Sequence, residues 1–388
     1  MAYPNPYSRV WLDTVIQERP TREALRQQYI GLEYFPMKRV WEYQVVWDIM
    51  MSGNRQAGIY AHDGTPIPGQ GYDYKSMMSD VSHIMASRTI NPNTVLQLRQ
   101  AGELSVHNTL TRSHRARLLS EIADKIGECQ DRVESTIEYL CMQALQGTIT
   151  WPPVDDDGNA ISNPPAPWGN VGISLDLGFR STFVQDATSL TGWNSETGGQ
   201  YVWSNTTSST PRADLDVIST LYRETTGMSM EGATLLMSYT MLRYLGKNAE
   251  LLKWVHDTTN GGYNPSLLSE NEVRKIIQTE LGWNIRLYDA IWTYQSNIGN
   301  TSGPTTENQV RFLPRGKVII IPQGILGEGN SSFAVAPDIG APNGENLGLY
   351  TWSDGIEKPP WTREVGCGIH GFPLLKSTTE LFVLDALS

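Results

Sequence analysis

Apolar residues recur three or four apart through Leu119, Ile122, Ile126, Cys129, Val133, Ile137, Leu140 and Ala144, with Glu121, Asp124, Lys125, Glu128, Arg132 and Glu138 between them. That period predicts one amphipathic helix from Thr111 to Gly147, closed by the glycine. Glu121 with Lys125, and Glu128 with Arg132, add favourable pairs four apart. At 1.5 Å per residue the rod would reach ~50 Å, long for one globular domain. Its apolar stripe is expected to face a sheet of its own chain. Arg112, Arg115 and Arg117 crowd the amino-terminal turns, where the helix dipole disfavours cations, so something beyond the helix is expected to require them.

Before the rod, Thr21 to Tyr29 reads as a short helix and Val40 to Ile49 as a strand, together an arm leading into a sheet. Arg55 to Gly71 is rich in Gly, Pro, Gln and Asp, and Tyr72 to Thr89 has weak strand character; this is far longer than an ordinary connection and fits a long two-stranded excursion. Asn91 to Gly102 carries the cap, Pro92 and terminal glycine of a short helix. After the rod come a β-like run at Thr148 to Trp151, a Pro/Asp/Gly loop from Pro152 to Gly169 and a strand at Val171 to Phe179. A polar stretch from Thr188 to Ser209 precedes a helix opened by Pro211 and stopped by Gly227. Beyond it, a strand at Gly232 to Ser238, helices at Met241 to Val255 and Glu270 to Leu281, and a strand at Ile285 to Thr293 alternate as in an α/β body. Lys317 to Ile321 ends in four consecutive β-branched residues that want burial on both faces. Gly324 to Lys358 reads as irregular, and two strand-like pieces follow, at Phe372 to Leu375 and Glu380 to Leu384, with no internal repeat.

The 388 residues are 39% hydrophobic and 18% charged, a balance that folds. The net charge of −11 argues against a general nucleic-acid-binding surface and suits either ordinary solubility or a wall that contains nucleic acid without adhering to it. Cys129, Cys141 and Cys367 are an odd set, the first two about three helical turns apart, which excludes a disulfide framework. Met1 to Asp13 lacks the basic region and apolar run of a secretory signal, and no apolar stretch approaches the ~20 residues that span a bilayer. No membrane association is expected, and synthesis and retention in cytoplasm are. The six histidines are scattered, without His-Glu-x-x-His or Cys/His zinc spacing. Asp155 to Asn159 is half a calcium loop without its closing Glu, Gly69 and Gly71 have no third glycine, and no Gly-x-Ser-x-Gly elbow occurs. No catalytic, cofactor or metal site is expected.

What remains is aromatic-bearing polar loops: Tyr60, Tyr72 and Tyr74 in the first excursion, and Trp193, Tyr201 and Trp203 in the second. Tyr and Trp are enriched at interfaces, and with so long a rod they favour an assembly subunit.

The order of parts, an arm, a two-stranded excursion, a long helix, a β-rich loop region, an α/β body and returning strands, resembles the major capsid proteins of tailed bacteriophages, closest to the lambda-like capsid protein E family. The local matches are Arg88 through Gly102, Ala144-Leu145-Gln146-Gly147, Trp203-Ser204 followed by Pro211 and Asp214-Leu215, Phe312-Leu313-Pro314 with Lys317 to Ile321, and Gly371-Phe372-Pro373-Leu374-Leu375. The segment from Ile325 to Trp361 and the first arm depart from it. The resemblance implies an α+β, HK97-like fold: an N-terminal arm and first strand over 1–50, an extended loop over 51–108, the spine helix and peripheral domain over 109–210, an axial domain over 211–365, and return strands to the peripheral domain over 366–388.

The implied function is self-assembly into pentamers and hexamers that tile an icosahedral shell around double-stranded DNA, in a virion assembled in the host cytoplasm. The expected partners are further copies of the chain, a separate scaffolding protein, a portal, a decoration protein and, at the inner face, DNA bound without sequence preference. Tyr60, Tyr72, Tyr74, Arg88, Arg112, Arg115, Arg117, Trp193 and Trp203 are the candidate inter-subunit contacts. Two other classes compete: a cellular encapsulating shell or another virion protein, and an α/β hydrolase-like enzyme with the excursion as its lid, which would be a monomer or small oligomer.

Overall fold

A computed structural model describes residues 12, 29–50, 74–90, 112–153, 172–192, 198–258, 266–296, 306–327, 329–337, 348–355 and 363–387. The long helix runs from Arg112 to Leu145 and is preceded among these residues by a four-residue helix at Gly31–Tyr34; they are called α2 and α1. Ile122, Ile126, Cys129, Val133, Ile137, Leu140 and Ala144, the stripe read from the sequence, are all buried. Each fully buried aliphatic side chain contributes roughly 1.5–3 kcal/mol, which the neighbouring polar stripe could not. From Ile137 to Gly147 every residue is buried, so the rod enters the molecule at its carboxyl end.

The stripe lies on a five-stranded sheet. Its long central strand is β15 (Arg363–Leu375), with β4 (Ser82–Ile90) along one side and both β13 (Ser331–Ala336) and β14 (Tyr350–Gly355) end to end along the other. Strand β1 (Met37–Arg39) adds in parallel to β13. Val365, Cys367, Ile369 and Ile84 face α2, and the two glycines between them, Gly366 and Gly368, face away, where Trp352 and Tyr350 of β14 lie so close that a Cβ would stand 2.6–2.7 Å from their rings or hydroxyl. The region 324–358, expected to be irregular, thus contains two strands of this sheet, β13 and β14, hidden in the sequence by the turn residues that surround them.

A second sheet has the order β7 (Val184–Asp186), β16 (Phe382–Asp385), β12 (Lys317–Ile321), β8 (Thr234–Met237) and β9 (Asn284–Leu287). Strands β8 and β9 are parallel and joined through helices α4 (Tyr239–Lys247), α5 (Ala249–Thr258) and α6 (Glu270–Leu281), with α3 (Pro211–Thr226) preceding β8. Ser269 and Glu272 form a reciprocal capping box at α6, and Gly227 and Gly282 end α3 and α6 in the left-handed conformation. The single helix expected over Met241 to Val255 is broken at Asn248, whose extended backbone starts a new helix while its side-chain oxygen accepts from the Glu250 amide at 2.9 Å.

This second sheet separates two cores. Val318 and Ile320, with Leu235 and Met237, join Leu215, Ile218, Met241, Val273 and Ile276 of the helices; Ile319 and Ile321, with Leu236, join the core under α2. The uninterrupted β-branched run of β12 is thereby explained: it is a wall with an apolar layer on each side. The segment 366–388, expected to supply return strands to the peripheral domain, divides between the sheets, β15 lying over α2 and β16 closing the wall. Among the described residues there are also three two-stranded ribbons: β2 (Gln44–Met50) with β3 (Tyr74–Asp80), β5 (Thr148–Trp151) with β6 (Ile173–Asp176), and β10 (Ile291–Ser296) with β11 (Thr306–Arg311). The helices expected at Thr21 to Tyr29 and Asn91 to Gly102 fall on residues outside those described, apart from Tyr29.

Candidate functional site

The β2–β3 ribbon is the base of the excursion expected from the sequence, with residues 51–73 beyond its described end. Strand alternation divides its side chains between two faces. One face is anchored: Ile49 and Met77 are buried, the Trp47 ring stands 6.5 Å from Phe372, and its indole N–H donates to the Leu375 carbonyl at 3.1 Å. The other face carries Val46 and Met78, cross-strand partners that are each 60% exposed. Polar pairs flank them: Gln44 donates to Asp80 at 3.2 Å, and Ser76 to Asp48 at 2.6 Å. At the ribbon's foot Trp41 is 72% exposed, with the Arg39 guanidinium 4.0 Å over its ring. Neither Val46 nor Met78 was singled out by sequence reasoning; the available signal was two apolar residues at positions that share a face with Gln44, Asp48 and Asp80.

The sequence candidates fall out differently. Tyr60, Tyr72 and Trp193 lie outside the described residues. Tyr74 opens β3 opposite Met50, at the far end of the ribbon. Arg112, Arg115 and Arg117 occupy the first turns of α2, as expected. Arg88, on β4, pairs within the chain: its Nε lies 3.0 Å from Glu128 on α2, and Lys125 Nζ reaches the same carboxylate at 3.0 Å. Partial burial pushes the Glu128 carboxyl up, but these two cations outweigh it and leave it below its ordinary value.

Trp203 is a correction. Expected at an interface, it is wholly buried in its own chain. Its indole N–H donates to Asp214 Oδ2 at 2.9 Å, the Gly199 amide donates to Oδ1 at 2.7 Å, and the Trp203 amide donates to the Ala386 carbonyl at 2.8 Å. A polar loop can bury a tryptophan when a buried carboxylate on the next helix folds it back. The loop carries its own hint in the eleven-residue interval between Trp203 and an acid in the first turn of α3. Tyr201, two residues earlier, stays half exposed.

On the face of the first sheet away from α2, His83 and His370 are register partners with rings stacked at 4.0 Å, the Tyr350 hydroxyl bonds His83 Nε2, and Tyr43 stands edge-on to His370 at 5.4 Å. Among the described residues no group of three or more His, Cys, Asp or Glu side chains could hold a metal ion, and no helix is long and apolar enough to cross a membrane.

Similarities to known proteins were found at two levels. Residues 12–166 match the family model of phage major capsid protein E. No curated protein matches the chain in sequence. Among solved structures it is similar to a phage-related protein from Bordetella bronchiseptica RB50, with 11% identity, 98% of this chain and 97% of that one covered and a TM-score of 0.45. The putative capsid protein of a prophage of E. coli CFT073 gives 11% identity, 93% and 88% coverage and a TM-score of 0.46. The capsid of Myoviridae phage XM1 gives 10% identity, 92% coverage of both and a TM-score of 0.45. The stretch similar to phage major capsid protein E thus takes in the arm, the extended ribbon and the long helix.

Proposed function

We propose that copies of this chain form pentamers and hexamers that close an icosahedral shell around double-stranded DNA, and that the β2–β3 ribbon with the residues beyond its tip lies across a neighbouring subunit. The observation that carries the second part is the Val46–Met78 pair. A two-stranded ribbon is marginal on its own, and this one is fastened to the body by Trp47 on one face while offering paired apolar side chains on the other. Closed shells of identical subunits need heterologous contacts, and a long arm supplies area that a compact body does not. The body under α2 then serves as the peripheral domain and the α3–α6 body as the axial domain. The chain's role is structural rather than catalytic. The net charge of −11 suits an inner wall that holds DNA without adhering to it, and a scaffolding protein, a portal and a decoration protein are the expected further partners.

The chain expressed alone or with a scaffold should give megadalton particles by light scattering and closed shells by electron microscopy; a monodisperse monomer under all assembly conditions would remove the shell reading. Replacing both Val46 and Met78 with Asp should leave a folded chain with a parental unfolding midpoint that makes no closed shells. Deleting residues 58–74 should do the same. Normal shells from either variant would leave the ribbon without the proposed role.

A further inference from the structure

Glu138 is a carboxylate on α2 that is only 2% exposed, and none of the surfaces above uses it. Three donors converge on it from two directions. The amides of Ile30 and Gly31, at the start of α1, donate to Oε1 at 3.0 Å and Oε2 at 2.7 Å. The Tyr288 hydroxyl donates to Oε1 at 2.5 Å. Tyr288 belongs to the other body: it directly follows β9, and its amide is bonded to the Met237 carbonyl of β8 at 2.9 Å. One residue before the end of β9, Arg286 forks onto Glu33 of α1 at 2.7 and 2.5 Å and reaches the Tyr34 hydroxyl at 3.3 Å. Gly31 itself admits no side chain, since a Cβ would lie 2.5 Å from Glu138 Oε2 and 2.8 Å from the Cys141 Cβ. The arm therefore meets both the long helix and the second sheet around Glu138. Burial and the adjoining Glu138 push the Tyr288 hydroxyl far up, so it stays the donor.

We propose that this cluster is an interdomain latch: α1 is the pin, Glu138 its seat, and Tyr288 and Arg286 the two grips of the second body, so that release of α1 and movement of that body against α2 are one event. The latch belongs to the single chain and does not depend on shell assembly. Its content is coupling. Tyr288 makes no hydrogen bond to α1, yet it controls α1 through the carboxylate they share.

Amide exchange followed residue by residue in the full chain tests it. Tyr288→Phe removes one grip and leaves both amide bonds to Glu138 possible; exchange at Ile30 and Gly31 should accelerate roughly tenfold, with parental protection in α6 and in the middle of α2. Arg286→Met should have a like effect through Glu33. Coupling is reciprocal, so Gly31→Ala, which displaces the pin, should accelerate exchange of the Tyr288 amide, a group α1 does not bond. Parental exchange at Ile30 and Gly31 in both grip variants would show α1 held by α2 alone and overturn the latch. Acceleration spread evenly over both bodies would also overturn it, by reducing Tyr288 to an ordinary core contact.

Discussion

Asp214 and Trp203 show how one buried carboxylate organises a polar loop. Burial pushes the Asp214 carboxyl above its ordinary value of 3.8, against the lowering effect of its bonds from Gly199 and Trp203. A carboxyl whose folded value is raised binds its proton more tightly in the folded state. Its contribution to stability is complete below the ordinary value and is lost as pH rises through the raised one. Asp214 should therefore add to the stability of the unassembled chain as pH falls toward that ordinary value, and Asp214→Asn should remove this part of the pH dependence of the unfolding midpoint in thermal scans. Trp203→Phe leaves Asp214 Oδ2 without its indole donor in a dry site and should cost about 1–3 kcal/mol in denaturant unfolding. An indole lying at a subunit interface would instead leave the stability of the free chain unchanged. The sequence located both residues but not their relation, because burial of a tryptophan in a polar loop depends on an acid that periodicity assigns to the outside of a helix cap.

Elements were legible where one physical demand governs a whole segment. Helix α2 satisfies the 3.6 period for 34 residues and was found to within two residues at each end. The β12 run declared burial on both faces, and Pro211 and Gly227 marked helix ends that the structure keeps. Elements were missed where a single side chain overrides the local pattern. Asn248 divides one apolar period into two helices by bonding to Ser209 and capping α5. Tyr288 to Ala290 cuts the expected strand at 285–293 into β9 and β10, because Tyr288 turns toward Glu138. In β15, Gly366 and Gly368 break the apolar alternation, yet they are what admits Trp352 and Tyr350 against the sheet. Gly366→Ala would place a Cβ 2.6 Å from the Trp352 ring and 2.7 Å from the Ala86 carbonyl, and should destabilise the chain by about 1–3 kcal/mol, read as a shifted denaturant midpoint.

At the scale of the molecule, two bodies meet at the β12 wall and at Glu138, while ribbons extend from their margins. The ribbon was legible as part of an excursion, but the exposed pair Val46 and Met78 was not, because in the sequence Val46 is indistinguishable from half-buried Val45 and buried Trp47 on either side of it. The arginines at the start of α2 belong to this scale too. Arg112, Arg115 and Arg117 stand where the helix dipole opposes them, so replacing all three with Gln should leave the chain's folding intact and lower the yield of assembled or DNA-filled particles, counted in micrographs. Unchanged yields would mark them as a solvated face.

The wall also sets an order of events during synthesis. Strand β12 is flanked by β8 on one side and β16 on the other, and β7 reaches the sheet only through β16. A ribosome that has made residues 1–380 has produced all of α2, every described helix of the second body and four of the wall's five strands, yet the strand that joins β7 to the rest has still to be made. Both apolar layers stay open until it emerges. Nascent chains stalled before Phe382 should therefore bind holdase chaperones and resist compaction, and the wall becomes complete only once Asp385 has left the tunnel.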